Sequence, residues 1–209
     1  MKQVCPLCSG ISLIFDISGK QHYYLCENCK GIFLDKDHLL DRSEEKDRYY
    51  LHENHINDQG YIKFADPIIS SVRELFNSTH QGLDFGAGHT PVISEVLKRD
   101  GFQVEIFDPI FFNNTNILDK KFDFITSCEV IEHFYNPKKE FELLFKMLKS
   151  NGKLICMTDI YNGIDFATWY YRTDPTHVFF YQEETLKWIK SNFGFQDVTI
   201  NNRLIIFTK

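Results

Sequence analysis

The 209-residue chain predicts an α/β protein: a mostly parallel sheet covered on both faces, closed by an antiparallel hairpin and preceded by a small cysteine-bearing module. Three observations predict it. From residue 61 onward short apolar runs alternate with segments of helical periodicity, the pattern of a parallel sheet with crossover helices. The stretch LDFGAGHTP (83–91) puts a glycine-rich turn between the first of these strands and the first helix after it. Four of the six cysteines stand as two C-x2-C pairs near the start.

Cys5 and Cys8 lie in CPLCSG, Cys26 and Cys29 in CENCKG, giving C-x2-C-x17-C-x2-C. Each pair is followed two residues later by a glycine, Gly10 or Gly31, so each unit can curl into a tight turn presenting two thiolates. The residues between, ISLIFDISGKQHYYL, alternate like two strands around an SGK turn. Two such turns at the ends of a hairpin supply the four tetrahedral sulfurs zinc prefers. Residues 1–33 therefore read as a zinc-ribbon-like module with structural zinc on Cys5, Cys8, Cys26 and Cys29. A redox C-x-x-C would open a helix after a strand, and a reducing cytosol disfavours disulfides. With all four ligands filled, no open position is left for catalysis. Cys128 and Cys156 sit inside apolar runs, ITSCEV and LICMT, and read as buried core thiols.

Residues 34–60 are charged and aromatic without strand alternation and read as a helical connector or lid, with His52, Asn54 and Tyr61 as lid candidates. ADPIISSVRELFN starts a helix with Asp66 as N-cap and Pro67 at the first position. GLDF is a short strand, and TPVISEVLKRDG a helix capped by Thr90 with Pro91 at its first position. FQVEIF is a strand ending at Asp108, and FDFITS another. NPKKEFELLFKMLKSNG is a helix capped by Asn136 that stops near Gly152. KLICMT is a strand, and QEETLKWIKSNFG a helix closed by Gly194. FQDVTINNRLIIFTK ends the chain as two strands around Asn201 and Asn202.

The 23 basic and 29 acidic residues give a net charge of −6, and neither the cysteine-bearing part nor the remainder is basic. That disfavours a nucleic-acid partner, which asks for a cationic surface. No apolar run approaches the roughly 20 residues of a membrane span. The start, MKQVCPLCSG, lacks the hydrophobic run of a signal peptide, so a cytoplasmic location is expected. Nothing in the pattern speaks to oligomeric state.

The glycine turn decides the chemistry. A dinucleotide fingerprint needs G-x-G-x-x-G, and Pro91 stands where the third glycine belongs. Asp84, two residues before Gly86, has no role beneath a pyrophosphate. A cofactor with a cation, hydroxyls and no phosphate suits the site better, which describes S-adenosylmethionine. With EIFDP, FDFITSCEVIEHFYNP and LKSNGKLICMT, residues 61–209 resemble class I S-adenosylmethionine-dependent methyltransferases. The resemblance implies a Rossmann-like seven-stranded sheet with its last strand reversed. It also implies that Asp84, Gly86 and Gly88 hold the methionine moiety and Asp108 the ribose hydroxyls, with Ala87, Pro109, Cys128 and Glu129 completing the cofactor set. Asp108 falls 20 residues after Gly88, where an acidic hydroxyl acceptor is also expected physically. Two departures stand out: Thr90 replaces the third loop glycine, and the acidic residue near the adenine has no clear counterpart in FFNNTNILDKKFD, where Asn116 is the nearest candidate.

A sulfonium already activates its methyl group, so orientation and water exclusion supply most of the catalysis, and a base serves only an acceptor that arrives protonated. EVIEH places Glu129, Glu132 and His133 on one face of a helical turn. Many small-molecule methyltransferases carry a similar E-H without metal; the small-RNA ribose 2′-O-methyltransferases carry a similar E-x-x-E-H that, with a later histidine, holds a divalent ion. His177 in DPTHVFFY is such a later histidine. The expectation is the metal-free arrangement, with His133 shaping the pocket and His177 as general base. Trp169, Tyr170, Arg172 and Asp174 in the same loop are further acceptor-pocket candidates. The sequence thus favours methyl transfer by in-line displacement to a small molecule, resembling quinol or sugar methyltransferases. The alternatives are an RNA methyltransferase of the ribosomal-guanine or ribose 2′-O type, or a non-catalytic zinc-ribbon binding module. The first lacks an N-P-P-Y-like signature, and intact Asp84, Gly86, Gly88 and Asp108 argue against the second. Pro91 disfavours a nicotinamide oxidoreductase.

Overall fold

The computed structural model describes residues 2–50 and 55–209; His52 and Asn54 lie outside the described residues. The chain opens with β1 (Lys2–Val4), β2 (Ile11–Ser18), β3 (Gln21–Cys26) and β4 (Ile32–Leu34), followed by α1 (Arg42–Tyr49) and α2 (Gln59–Leu75). The core then runs β5 (Gln81–Phe85), α3 (Val92–Arg99), β6 (Gln103–Phe107), β7 (Phe122–Cys128), α4 (Pro137–Met147) and β8 (Leu148–Met157). It closes with β9 (Phe179–Phe180), α5 (Glu183–Phe193), β10 (Asp197–Asn201) and β11 (Leu204–Thr208).

The main sheet has the order β10-β11-β8-β7-β5-β6. β6, β5, β7 and β8 run parallel, and β11 and β10 are antiparallel, so the expected closing hairpin is present. The strand count corrects the expectation of seven: the sheet has six. Residues 108–121, between β6 and β7, form a bridge between Asp108 and Phe112 and a 3-10 turn at Thr115–Asp119. An added parallel strand of about five residues and its own crossover of a dozen or more exceed the length of this segment.

Along the central strands alternate residues serve opposite cores, as a strand covered on both faces requires. Phe124, Ile155 and Met157 pack with Ile68, Ile69 and Val72 of α2 and Ile93 and Leu97 of α3. Ile125, Leu154 and Cys156 pack with Phe141 and Leu144 of α4 and Leu186 and Ile189 of α5. Cys128 and Cys156 are both buried, as expected.

Several boundaries move. α2 starts at Gln59, capped by Asp58 accepting from Gly60 N (2.8 Å) and Tyr61 N (3.2 Å), and Pro67 lies inside it rather than at its start. α3 begins at Val92 with Pro91 as a cap that makes no side-chain bond; Asp84 of β5 supplies the missing acceptor to Ser94 N at 3.2 Å. Asn136 caps α4 as expected, accepting from Lys139 N at 3.2 Å, but the helix ends at Met147 and LKSNG already belongs to β8. Gly194 closes α5 in the left-handed region. The terminal turn is Asn202-Arg203, one residue later than read, because Asn201 pairs with Leu204.

In the N-terminal module β2 and β3 form the predicted hairpin with its turn at Gly19, and β1 and β4 pair along its two sides. The two knuckles repeat one geometry: Cys5 N bonds Gly10 O and Cys26 N bonds Gly31 O, both at 2.9 Å. The left-handed residues of these turns are Ser9 and Lys30, not the glycines. Gly31 is needed for space, since a Cβ there would lie 2.3 Å from the Phe179 ring. That contact reflects an unexpected continuity: β4 pairs with β9, so the module's sheet runs on into the loop after β8 in the order β1-β2-β3-β4-β9. Tyr23, Ile32 and Leu34 share an aromatic cluster with Phe166, Trp169, Tyr171 and Phe180.

Candidate active site

The ends of β5, β6 and β7 open into a cavity of about 910 Å³, within the size of ligand pockets. Gly86 and Gly88 carry φ of 78° and 63°, a region costly for other residues. A Cβ at Gly86 would also stand 2.5 Å from Val130. The loop is stapled to the end of β6 by Gly86 N and Ala87 N, both donating to Phe107 O at 2.8 and 3.2 Å.

Asp108 accepts from Gly88 N at 3.0 Å on one oxygen and from Ile110 N and Phe111 N at 2.8 and 2.9 Å on the other. It is thereby held at the cavity wall between the loop and the segment after β6. Gly86, Ala87, Gly88, Asp108, Pro109, Cys128 and Glu129 all line the cavity. Asp84 does not; it is 3% exposed, beneath the loop, and binds Thr126 Oγ1 at 3.1 Å as well as Ser94 N. Burial raises its carboxyl to about 6. Asn116 is exposed and away from the cavity, whose wall at that end is Leu118 with Glu140 and Leu143 of α4.

The cavity is also lined by His133 and His177, their rings 4.8 Å apart, with Tyr49, Tyr170, Tyr171 and Asp174. His133 is the last residue of a 3-10 turn, Ile131–His133, not of a full helical turn, and Glu132 within it is wholly buried. His133 Nδ1 lies 2.9 Å from Thr176 O and His177 Nδ1 2.6 Å from Tyr171 O. A carbonyl can only accept, so each Nδ1 carries a proton, which for a neutral ring leaves the lone pair on Nε2. Burial lowers the His177 basicity and favours the neutral ring, opposed by the Glu132 carboxylate 3.9 Å from Nε2. Glu132 also accepts from Thr158 Oγ1 at 3.0 Å and from the Tyr171 hydroxyl. Arg48 of α1 spans the mouth to Asp174 at 2.8 Å.

Of the other acceptor candidates, Tyr61 lines the cavity. Trp169 is buried in the aromatic cluster, and Arg172 turns to the N-terminal module, donating to Ser18 Oγ at 2.8 Å. The sequence reading missed Arg48, Tyr49, Tyr171 and Arg203, which reach the site only through tertiary contacts.

Among the described residues two clusters could hold a metal ion, the candidate ligand atoms within each lying within 4.8 Å of one another. One is Cys5, Cys8, Cys26 and Cys29, with Sγ separations of 3.5 Å (Cys5–Cys29) and 3.3 Å (Cys8–Cys26). Four sulfurs each about 2.3 Å from a tetrahedral zinc stand at nearly this spacing. The other is Glu132, His133 and His177.

The methyltransferase-domain family matches residues 54–200. The chain belongs to that family. No curated protein sequence matches it significantly. Among solved structures, this methyltransferase is similar to an O-methyltransferase family protein from Burkholderia thailandensis, at 14% identity and TM-score 0.54, over 78% of this chain and 61% of that one. It is similar to human N-acetylserotonin methyltransferase in complex with S-adenosylmethionine, at 14% identity and TM-score 0.53, over 72% and 54% of the two chains. A third likeness is a SAM-dependent methyltransferase from Archaeoglobus fulgidus, at 19% identity and TM-score 0.50, over 71% and 99%. These likenesses establish the α/β methyltransferase fold, and the chain spans about three fifths of the length of the first of them.

Proposed function

We propose that this methyltransferase transfers the methyl group of S-adenosylmethionine to a small-molecule acceptor by in-line displacement. The observation that carries the reading is one cavity lined both by the glycine loop and Asp108 and by the adjacent rings of His133 and His177 among tyrosines. Gly86, Ala87, Gly88, Asp108, Pro109, Cys128 and Glu129 would hold the cofactor, with Asp84 stiffening the loop from below. When bound, the cofactor supplies a methyl group already activated on sulfur.

The chain's own contribution is alignment, exclusion of water by the tyrosine wall, and a proton acceptor at His177 Nε2 where the acceptor needs one. His133, beside it, shapes the wall. The lining carries Glu45, Asp108, Glu129, Glu140 and Asp174 against Arg48, which suits a small molecule and opposes a polyanion. Zinc on Cys5, Cys8, Cys26 and Cys29 belongs to this reading as a structural ion in a 1–33 module. The segment 34–60 forms a connector and 61–209 the methyl-transfer domain. No described helix is long and apolar enough to cross a membrane; a cytoplasmic location is part of the proposal. Isothermal calorimetry tests the donor: S-adenosylmethionine should bind and NAD should not. NAD binding without S-adenosylmethionine binding would reverse the reading. Mass spectrometry of ligand carried through purification tests the acceptor.

A further inference from the structure

Among the described residues the cavity is lined by five carboxylates against one guanidinium, with no lysine. That guanidinium is already engaged, Arg48 Nη2 donating to Asp174 Oδ2 at 2.8 Å. Asp108 is taken up by the Gly88, Ile110 and Phe111 amides, and Glu129 Oε2 accepts from Arg203 Nη2 at 2.6 Å. The lining still carries a surplus of negative charge. The cofactor's sulfonium and ammonium, set against its own carboxylate, offset only part of it.

This acidic, aromatic lining reaches the proposed base. Glu45 of α1 accepts from the Tyr49 hydroxyl at 3.2 Å, the Tyr49 ring stands edge-on to His133 at 5.5 Å, and His133 is 4.8 Å from His177. The Tyr171 ring lies 4.2 Å from His177, and the Tyr170 ring 5.9 Å from Tyr171. Burial and the Glu45 carboxylate push the Tyr49 hydroxyl well above its usual range, so the ring stays neutral. Neutral aromatic faces attract a cation, most strongly where water is excluded.

The charge left behind by the proton separates the acceptor classes. An alcohol or phenol develops negative charge on oxygen as it gives its proton to His177, which a wall of carboxylates opposes. An ammonium giving up the same proton becomes a neutral amine. The positive charge moves to the imidazole, where the Glu132 carboxylate 3.9 Å from Nε2 favours it. We propose that the acceptor is a small protonated amine, held by the Glu45 carboxylate and the tyrosine rings with its nitrogen at His177 Nε2. This deepens the methyl-transfer reading and rests on it. His177 Nε2 takes one ammonium proton and later releases it to water. The freed nitrogen lone pair forms the new N–C bond while the C–S bond breaks and leaves its electron pair on sulfur. The products are the N-methylated ammonium and S-adenosylhomocysteine.

The test incubates the full chain with S-adenosylmethionine tritiated at the methyl group and a protein-free small-molecule extract of the cells that naturally make it. The label should enter a product retained by a cation exchanger at pH 7, and fragmentation should place the methyl group on nitrogen. A product methylated on oxygen, carbon or sulfur overturns the proposal. With the amine so identified, Glu45→Gln should raise its KM about tenfold or more, as loss of a hydrogen bond to a charged group does. In that variant kcat and the Kd for S-adenosylhomocysteine should move less than about twofold. An unchanged KM also overturns the proposal. If no label leaves the cofactor, the methyl-transfer reading itself has failed, a result distinct from transfer to another atom.

Discussion

The 2.6 Å contact between His177 Nδ1 and the carbonyl oxygen of Tyr171 orients the base of the proposed reaction. It fixes the proton on Nδ1 and the lone pair on Nε2, while the same tyrosine's hydroxyl engages the buried Glu132. Backbone and side chain of one residue thus set the tautomer of His177 and the neighbour its Nε2 faces.

His177→Ala should lower turnover roughly a hundredfold, the range for losing a general base, with S-adenosylhomocysteine affinity unchanged. Burial lowers the His177 pKa below its usual 6.5, so the neutral base persists at pH 7 and is lost only further to the acid side. The profile of kcat/KM against pH should therefore be flat near neutrality and fall below about 6.5. Unchanged turnover in the variant removes His177 from the mechanism.

The Glu132, His133 and His177 cluster is assigned no cation in the proposed mechanism. Adding manganese should leave turnover unchanged, and crystals soaked in it should show no strong anomalous peak there. A strong peak between Glu132 and His177 reverses that assignment and moves the ribose 2′-O reading to the front.

Gly86→Ala must place a methyl group 2.5 Å from Val130 at a φ of 78°. Cofactor binding should be lost or reduced more than a hundredfold, because the loop must shift. Asp108→Ala should also weaken S-adenosylmethionine strongly, since the Gly88, Ile110 and Phe111 amides lose their shared acceptor. Calorimetry decides both.

Metal-replete protein should contain close to one zinc per chain by elemental analysis. Cys26→Ser should release it and lower Tm by about 10 °C or more, at roughly 3 °C per kcal/mol for a chain of this size. Turnover should fall with it. Leu34 N of the module donates to Val178 O, and Val178 N donates to Glu132 O, both at 2.9 Å, so the knuckles are tied to the strand beside His177. A metal-free protein with unchanged Tm contradicts the assignment.

Cofactor affinity should depend on pH through Glu129. Glu129 belongs to the proposed cofactor wall, and a cationic group of the cofactor beside its carboxylate would favour the ionised form, so binding should release a proton below the free-state value of about 8. The Kd for S-adenosylhomocysteine should then fall as pH rises from 6 to 8 and level off above it. Glu129→Gln should flatten that slope, and an unaltered slope assigns it to another group.

The sequence by itself determined the alternating core, the duplicated knuckles and the glycine loop that lines the cavity, because these depend on local order. Period-two and period-3.6 patterns, C-x2-C-x-G spacing and a glycine turn between strand and helix are set by neighbours in the chain. Asp84 was legible as important, yet its work is to cap α3 and brace the loop, which becomes visible only when β5 and α3 are packed together. The number of strands, the pairing of β4 with β9, and the places of Tyr171, Arg48 and Arg203 were decided by tertiary structure alone. Arg203 lies 74 residues from Glu129 and Arg48 126 residues from Asp174. No local pattern encodes such pairs, since a side chain's partner at that separation is fixed by how the sheet, the hairpin and the N-terminal module close on one another.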